Sequence, residues 1–146
     1  IKNGAKLIHA VSGSEVPHLS LMVGSSYGAG NYGMSGRSFE PRFLFTYPNA
    51  KVSVMGAEQL AGVMEIVKKQ SAKSMGKTID DKKLNAEKQA MIADATQKST
   101  SWYSSSEGWD DGVIDPRETR NYLGFSLAIV YNQPIKGANT YGIFRM

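Results

Sequence analysis

Apolar and polar positions switch between helical and extended spacing along the chain. Leu7, Ile8, Ala10 and Val11 recur at helical intervals, which predicts a helix over residues 4–15, ending before Pro17. HLSLMV, residues 18–23, predicts a short buried strand, and RFLFTY, residues 42–47, a second. Pro48-Asn49 makes a turn, and KVSVM, residues 51–55, predicts a third strand with Val52 and Val54 on one face. After Gly56, the run AEQLAGVMEIVKKQ puts Leu60, Val63, Met64 and Val67 on one helical face. Residues 68–100 intersperse lysines with Asp80, Asp81, Glu87 and Asp94, which predicts a polar helical excursion of one or two exposed helices, broken near Gly76. Asp115, Pro116 and Glu118 have the order of an N-cap, N1 and N3. The helix they open is expected to run to about residue 132, with Leu123, Leu127 and Val130 on one face and Pro134 as its stop. The tail GANTYGIFRM is too apolar for a free end and is expected to pack on a surface. Strands alternating with helices make an α/β layout.

Composition narrows the chemistry. The chain has 146 residues, enough for one domain with a core. It contains no cysteine, which excludes a disulfide framework, a thiolate nucleophile and Cys-ligated zinc. No apolar run reaches the roughly 18–20 residues that span a bilayer. The formal charge of +4 is that of a solvated basic surface and also suits an acidic ligand or partner. The chain opens on helical spacing without an initiator Met or a secretory or transit composition. It is therefore expected to be the C-terminal part of something larger.

The stretch SSYGAGNYGMSG, residues 25–36, contains a literal G-x-G-x-x-G at Gly28, Gly30 and Gly33. The order strand, glycine loop, helix matches a dinucleotide site. Such a site also needs an acidic residue about 20 positions further on, at the end of the next strand. LFTYPNAKVSVM supplies none. A tight turn explains one or two glycines. It does not explain Gly24, Gly28, Gly30, Gly33 and Gly36 within 13 residues. Bare backbone at a helix start suits an anion, and if that anion is a developing oxyanion the loop is an oxyanion hole.

Side chains offer little else. His9 and His18 have neither a nucleophile motif nor metal-ligand spacing, and both read as structural or surface residues. Asp110-Asp111 beside Trp109 read as a turn or a cap, because adjacent carboxylates point apart. No metal site is expected, and no side chain stands out as a general base. A cofactor can supply one.

IKNGAKLIHAV, GSSYGAGNYGMSGRSFEPRFLF, YPNAKVSVMGAEQ, WDDGVIDPRETR and YGIFRM together reach from one end of the chain to the other. In these segments the chain resembles the C-terminal part of the β subunits of methylcrotonoyl-CoA carboxylases, within the biotin-dependent acyl-CoA carboxylase family. Residues 68–100 are the loosest match. The resemblance implies a crotonase-like (ClpP-type) β-β-α superhelix, with residues 1–146 as part of the C-terminal carboxyltransferase domain. It implies transfer of CO2 from carboxybiotin to 3-methylcrotonyl-CoA, in leucine catabolism. Biotin would arrive covalently bound to an α subunit, which alone uses ATP. The backbone N–H groups of Ala29 and Gly30 would receive the biotin ureido oxygen. Tyr27, Gly28, Asn31 and Gly56 would bind the cofactor, and Tyr32 would bear on the choice of acyl group. The implied partners are the α subunit, other β subunits in a large hetero-oligomer and an acyl-CoA, with no nucleic acid and no membrane. The compartment would be the mitochondrial matrix in a eukaryote and the cytoplasm in a bacterium. A related acyl-CoA (geranyl-, propionyl- or acetyl-) or an assembly-only domain of the same fold are the alternatives.

Overall fold

The computed structural model describes residues 2–76 and 78–134. Helix α1 (Lys2–Ser12) leads into β1 (Leu19–Met22) and then β2 (Ser25–Tyr27); helix α2 (Ala29–Gly33) and a 3₁₀ turn (Arg37–Phe39) follow. The chain then repeats that order with β3 (Phe43–Thr46), β4 (Lys51–Ser53) and helix α3 (Ala57–Ser74). β1 pairs parallel with β3, Leu19 opposite Phe43 and Met22 opposite Thr46. β2 pairs parallel with β4, Ser25 opposite Lys51 and Tyr27 opposite Ser53. Each turn of the chain lays one strand in each of two sheets and then a helix, which is the β-β-α superhelix that the resemblance implies.

A third turn starts at residues 111–114. Asp111 donates its N–H to the Leu44 carbonyl at 2.8 Å and Ile114 donates to Thr46 at 2.9 Å, while the Thr46 N–H reaches the Gly112 carbonyl at 3.1 Å. Between the second and third turns lie helices α4 (Asp81–Lys98) and α5 (Ser101–Ser106). A 3₁₀ turn (Pro116–Glu118) then leads into α6 (Thr119–Val130).

The core lies where the turns stack. Leu44, Phe45, Ala50 and Ile114 are buried there. Phe45 meets Tyr122 of α6 edge to face, with ring centroids 5.4 Å apart. The buried hydroxyls are all partnered. Ser101 donates to the Pro48 carbonyl at 2.9 Å, Ser104 to Ser101 at 2.9 Å and Ser126 to Tyr122 at 2.8 Å. Such pairing is what lets small polar residues sit in a core without a desolvation cost.

Several boundaries differ from the pattern-based expectation, each for a local reason. Ser25–Tyr27 is a strand inside the glycine run, held by backbone pairing alone, with no apolar alternation to announce it. The glycine stretch is expected to turn into a short helix through Met34 to Arg37; the helix instead occupies Ala29–Gly33 and ends before Ser35 takes a left-handed conformation (φ 53°). Asp115 does cap, its Oδ1 accepting from the Arg117 N–H at 2.9 Å, but the turn it opens is 3₁₀, and the α-helix starts at Thr119. Ser101–Ser106 is a further helix, unforeseen because serine is an indifferent helix former. The apolar tail, residues 137–146, lies outside the described residues.

The end of α3, from Lys68 to Ser74, and all of α4 fall within the expected excursion, and the two helices pack as a hairpin. Its seam buries Ala61 and Leu84 and is lined by Met64, Glu65, Lys68, Glu87, Lys88 and Met91. The expected face of α3 is therefore split. Met64 turns to the seam and Leu60 is half-buried, while Val63 and Val67 stay exposed beside Ile66. Glu65 receives the ammonium groups of Lys69 at 2.7 Å and Lys88 at 2.8 Å, and Glu87 receives that of Lys68 at 2.6 Å. The hydrogen bonds from Lys69 and Lys88 lower the Glu65 carboxyl to about pKa 2. A lowered carboxyl stabilises the fold above its unfolded pKa and loses that contribution as pH falls through the folded value. The hairpin is thus expected to lose the Glu65 contribution between about pH 4.5 and 2. Thermal unfolding of wild type and Glu65→Gln across that window checks it: the gap between the two curves should close toward pH 2, and should shrink with added salt at pH 7.

Candidate functional site

The glycine loop starts where β2 runs out. Gly28 adds one more rung to the β2–β4 ladder, donating its N–H to the Ser53 carbonyl at 3.1 Å. It then turns with φ 54° and ψ −133°. A Cβ on Gly28 would stand 3.0 Å from the Val54 carbonyl oxygen, so this position is closed to a side chain on two counts. That turn launches α2. Asn31 donates its N–H back to the Gly28 carbonyl at 3.1 Å. The N–H groups of Ala29 and Gly30, the first two of the helix, have no hydrogen-bond partner among the described residues. Both residues are exposed.

The five glycines do different work. At Gly36 a Cβ would lie 1.9 Å from Asn31 Oδ1 and 2.7 Å from the Asn31 carbonyl oxygen, so the loop closes on itself only with glycine there. At Gly33, which is buried, a Cβ would meet Leu7 of α1 at 3.3 Å. At Gly24 and Gly30 a Cβ would meet nothing within 4 Å. Local packing accounts for Gly28, Gly33 and Gly36. It does not account for Gly30, which costs about 1 kcal/mol against alanine in a helix.

Beside the loop lies a cleft of about 470 Å³. Gly28, Asn31 and Tyr32 line it on one side and Val54, Leu60, Lys98, Tyr103 and Trp109 on others. It thus brings together three of the expected site residues. Ala29 and Gly30 stand at the start of α2, Tyr27 is half-buried at the end of β2 and Gly56 caps α3, donating its N–H to Gln59 Oε1 at 3.3 Å; none of these four lines the cleft. Tyr32 packs edge to face on Phe39, centroids 5.8 Å apart. Asn31 is also a bracket, its Nδ2 donating to Ser26 Oγ at 2.9 Å. Lys98 pairs with Asp94 at 2.9 Å, and that hydrogen bond raises the lysine pKa above its ordinary value. The amine of the cleft wall is a cation, not a base. Among the described residues no cluster of His, Asp and Glu has the makings of a metal site.

Lys98, Tyr103 and Trp109 were not singled out as site residues by the spacing of residue types. Lys98 and Tyr103 come from an excursion and a serine-rich helix that carried no motif, Trp109 opens the segment WDDGVIDPRETR, and only the fold carries them to the loop. The acidic pair behaves differently from the turn or cap expected of it. Asp111 Oδ2 accepts from the Leu44 N–H at 2.7 Å, and Asp110 Oδ2 accepts from Thr46 Oγ1 at 2.8 Å. The two carboxylates point apart, as expected, and both clamp the third turn onto β3. His18 is structural as expected, its Nδ1 lying 3.0 Å from Ser35 Oγ.

The chain matches the carboxyl transferase domain model over residues 1–141. It is 48% identical, over its full length, to a probable biotin-dependent acyl-coenzyme A carboxylase beta2 subunit of Mycobacterium tuberculosis and spans 28% of that protein. It is 42% identical, over 99% of its length, to the mitochondrial methylcrotonoyl-CoA carboxylase beta chain of Dictyostelium discoideum and spans 25% of it. The crystal structure of the geranyl-CoA carboxylase beta subunit of P. aeruginosa superposes with a TM-score of 0.81 at 40% identity, covering all of this chain and 27% of that one. The chain therefore spans about a quarter of the length of the curated relatives it matches. It belongs to the carboxyl transferase domain family and has the crotonase-like fold of that family's β subunits.

The contrast among the glycines has a measurable consequence. Gly36→Ala is expected to destabilise by about 1–3 kcal/mol through overpacking. Gly30→Ala is expected to leave stability unchanged or to raise it by up to about 1 kcal/mol. Denaturant unfolding of both variants tests the assignment, and equal losses would show that Gly30 too is held by packing.

Proposed function

We propose that this carboxyl transferase domain supplies the biotin side of a carboxyltransferase site, and that the acyl acceptor is 3-methylcrotonyl-CoA. The observation that carries the reading is the pair of adjacent, exposed and unpartnered amides of Ala29 and Gly30, the second on a glycine that packing does not require.

The residues fit a biotin ureido group. Two neighbouring N–H groups suit one carbonyl-type oxygen, and no side chain larger than the Ala29 methyl stands at either position. The adjoining cleft has apolar walls at Val54, Leu60, Tyr103 and Trp109. Biotin, delivered by a partner subunit, supplies both the carboxyl group to be transferred and a base for the acyl-CoA. Ala29 and Gly30 would hold the ureido oxygen, and backbone amides fixed in place would stabilise negative charge there without reorganising. Gly28 sets their direction, and Asn31 ties the first turn of α2 to Ser26. Tyr27 and Gly56 fall to the outer part of this site, Gly56 through the start of α3. Tyr32 is proposed to bear on the acyl group, its ring presenting apolar surface to a branched chain.

The names of the relatives support the substrate class. One is a methylcrotonoyl-CoA carboxylase chain and one solved neighbour is a geranyl-CoA carboxylase, at nearly the same identity to this chain. A longer branched acyl-CoA is therefore the second reading. On the first reading the partners are a biotin-carrying α subunit, which uses the ATP, and further β subunits. The pathway is then leucine degradation, in the mitochondrial matrix if the source is eukaryotic and the cytoplasm if bacterial.

Two measurements test this. In the complete complex with ATP and bicarbonate, avidin-sensitive carboxylation should prefer 3-methylcrotonyl-CoA over geranyl-, propionyl- and acetyl-CoA. Preference for geranyl-CoA would keep the mechanism and change the substrate. Gly30→Val should lower turnover by about 100-fold or more while the unfolding midpoint stays put, since blocking one oxyanion donor costs about 3–4 kcal/mol of barrier. Undiminished turnover in that variant would sink the assignment of the amides.

A further inference from the structure

Beneath the glycine loop lies a second, small cavity of about 50 Å³. It is lined by Asn31 and Arg37 from the loop, Thr46 of β3, Ser104 of α5, and Trp109 and Asp110 from the third turn, among others. Asp110 sends one carboxylate oxygen to Thr46 Oγ1 at 2.8 Å and, more weakly, to Ser104 Oγ at 3.5 Å. Its other oxygen, Oδ1, is buried and has no hydrogen-bond partner among the described residues. A buried carboxylate oxygen without a partner is costly.

The loop side of the same cavity carries unspent donors. Asn31 Nδ2 has two hydrogens and gives one to Ser26 Oγ. Arg37 spends Nη1 on the Gly108 carbonyl at 3.1 Å and lays its guanidinium 5.9 Å from the Trp109 ring centroid. Its remaining N–H groups have no described partner. One buried water needs about 10–15 Å³ of such space and two to four polar partners. The cavity exceeds that volume, and Asn31, Arg37 and Asp110 all border it.

We infer that this cavity holds an ordered water that accepts from the Asn31 amide or the Arg37 guanidinium and donates to Asp110 Oδ1. Asp110 is thereby a positioning residue. It ties the underside of the glycine loop to Thr46, on the strand that anchors the third turn. Asn31 is the second residue after Ala29, so a tether at Asn31 fixes the first turn of α2 and with it the direction of the Ala29 and Gly30 amides. The role in turnover rests on the function proposed above; the water itself does not.

The test has two arms, both on the complete complex. A crystal structure of wild type at a resolution that orders solvent should show a water within hydrogen-bond distance of Asp110 Oδ1. Its absence would overturn the inference whatever the enzyme does, and needs no variant to fold. Asp110→Asn then replaces the charge while keeping the shape. Its kcat should fall about tenfold, the worth of one hydrogen bond expressed on the barrier, with the KM for acyl-CoA unchanged. A kcat equal to wild type in Asp110→Asn, or a KM that rises with kcat unchanged, would overturn the positioning role. A Gly30→Val enzyme that keeps full activity would instead defeat the reading of the amides and leave the water in place.

Discussion

Everything in this molecule follows from the chain changing sheets within two residues. β1 ends at Met22, and β2 begins at Ser25 in the other sheet. The second turn changes sheets across Tyr47–Ala50, and the ladders bind the two corners together. Tyr47 donates its N–H to the Met22 carbonyl at 2.9 Å, and Lys51 donates to Gly24 at 3.3 Å. Both pairings are parallel, so the C-terminal ends of β2 and β4 lie side by side. Helices α2 and α3 therefore start from neighbouring points, with Gly28 next to Ser53 and Val54. A one-residue slip of β2 against β4 would turn every side chain to the other face and move the Gly28 turn away from Val54.

This arrangement explains how the candidate site is shaped by backbone. The loop takes its shape from glycines that nothing larger can replace, and it presents the amides of two residues that local packing leaves unconstrained. Gly28 and Gly36 act through conformation and close approach. Gly30 acts by leaving space. A helix start always has unpaired N–H groups, and most are satisfied by a capping side chain. Here α2 has Gly28 in the cap position and no side-chain cap bond, whereas α4 is capped by Asp80 and α5 by Thr100. Gly28, in that cap position, lines the cleft.

The sequence pattern revealed the helices and the three apolar strands, because burial on one face imposes a period. It could not reveal Ser25–Tyr27, whose strand identity comes from its partner and not from its side chains. Nor could it reveal α5, where Ser101 and Ser104 are buried because they are small and bond to backbone carbonyls. The apolar face of α3 was legible, but its partner was not. α4 docks one side of it, through Ala61, Met64 and the Glu65 ion pairs, and leaves Val63 and Val67 outside. Glycine density marked the loop as a candidate anion site. The anion proposed for it came from resemblance, since no spacing of amides distinguishes a ureido oxygen from a phosphate. The cleft walls were illegible for a different reason: Lys98, Tyr103 and Trp109 are brought to Tyr32 only by the stacking of successive turns.

On the proposed reading the donors belong to the main chain, which decides what the surrounding side chains can contribute. Backbone N–H groups do not titrate, so their strength is set by direction and by the exclusion of competing partners. Side chains near the loop accordingly hold and shape. Asn31 brackets the first turn of α2. Arg37 clips the following 3₁₀ turn to Gly108 and Trp109. Lys98 stays charged against Asp94. The two carboxylates of the third turn do the same one layer further down, gripping Leu44 and Thr46 of the strand that carries the loop's support. These contacts make one turn of chain rigid, and that rigidity is distributed over the residues that pin the turn from below.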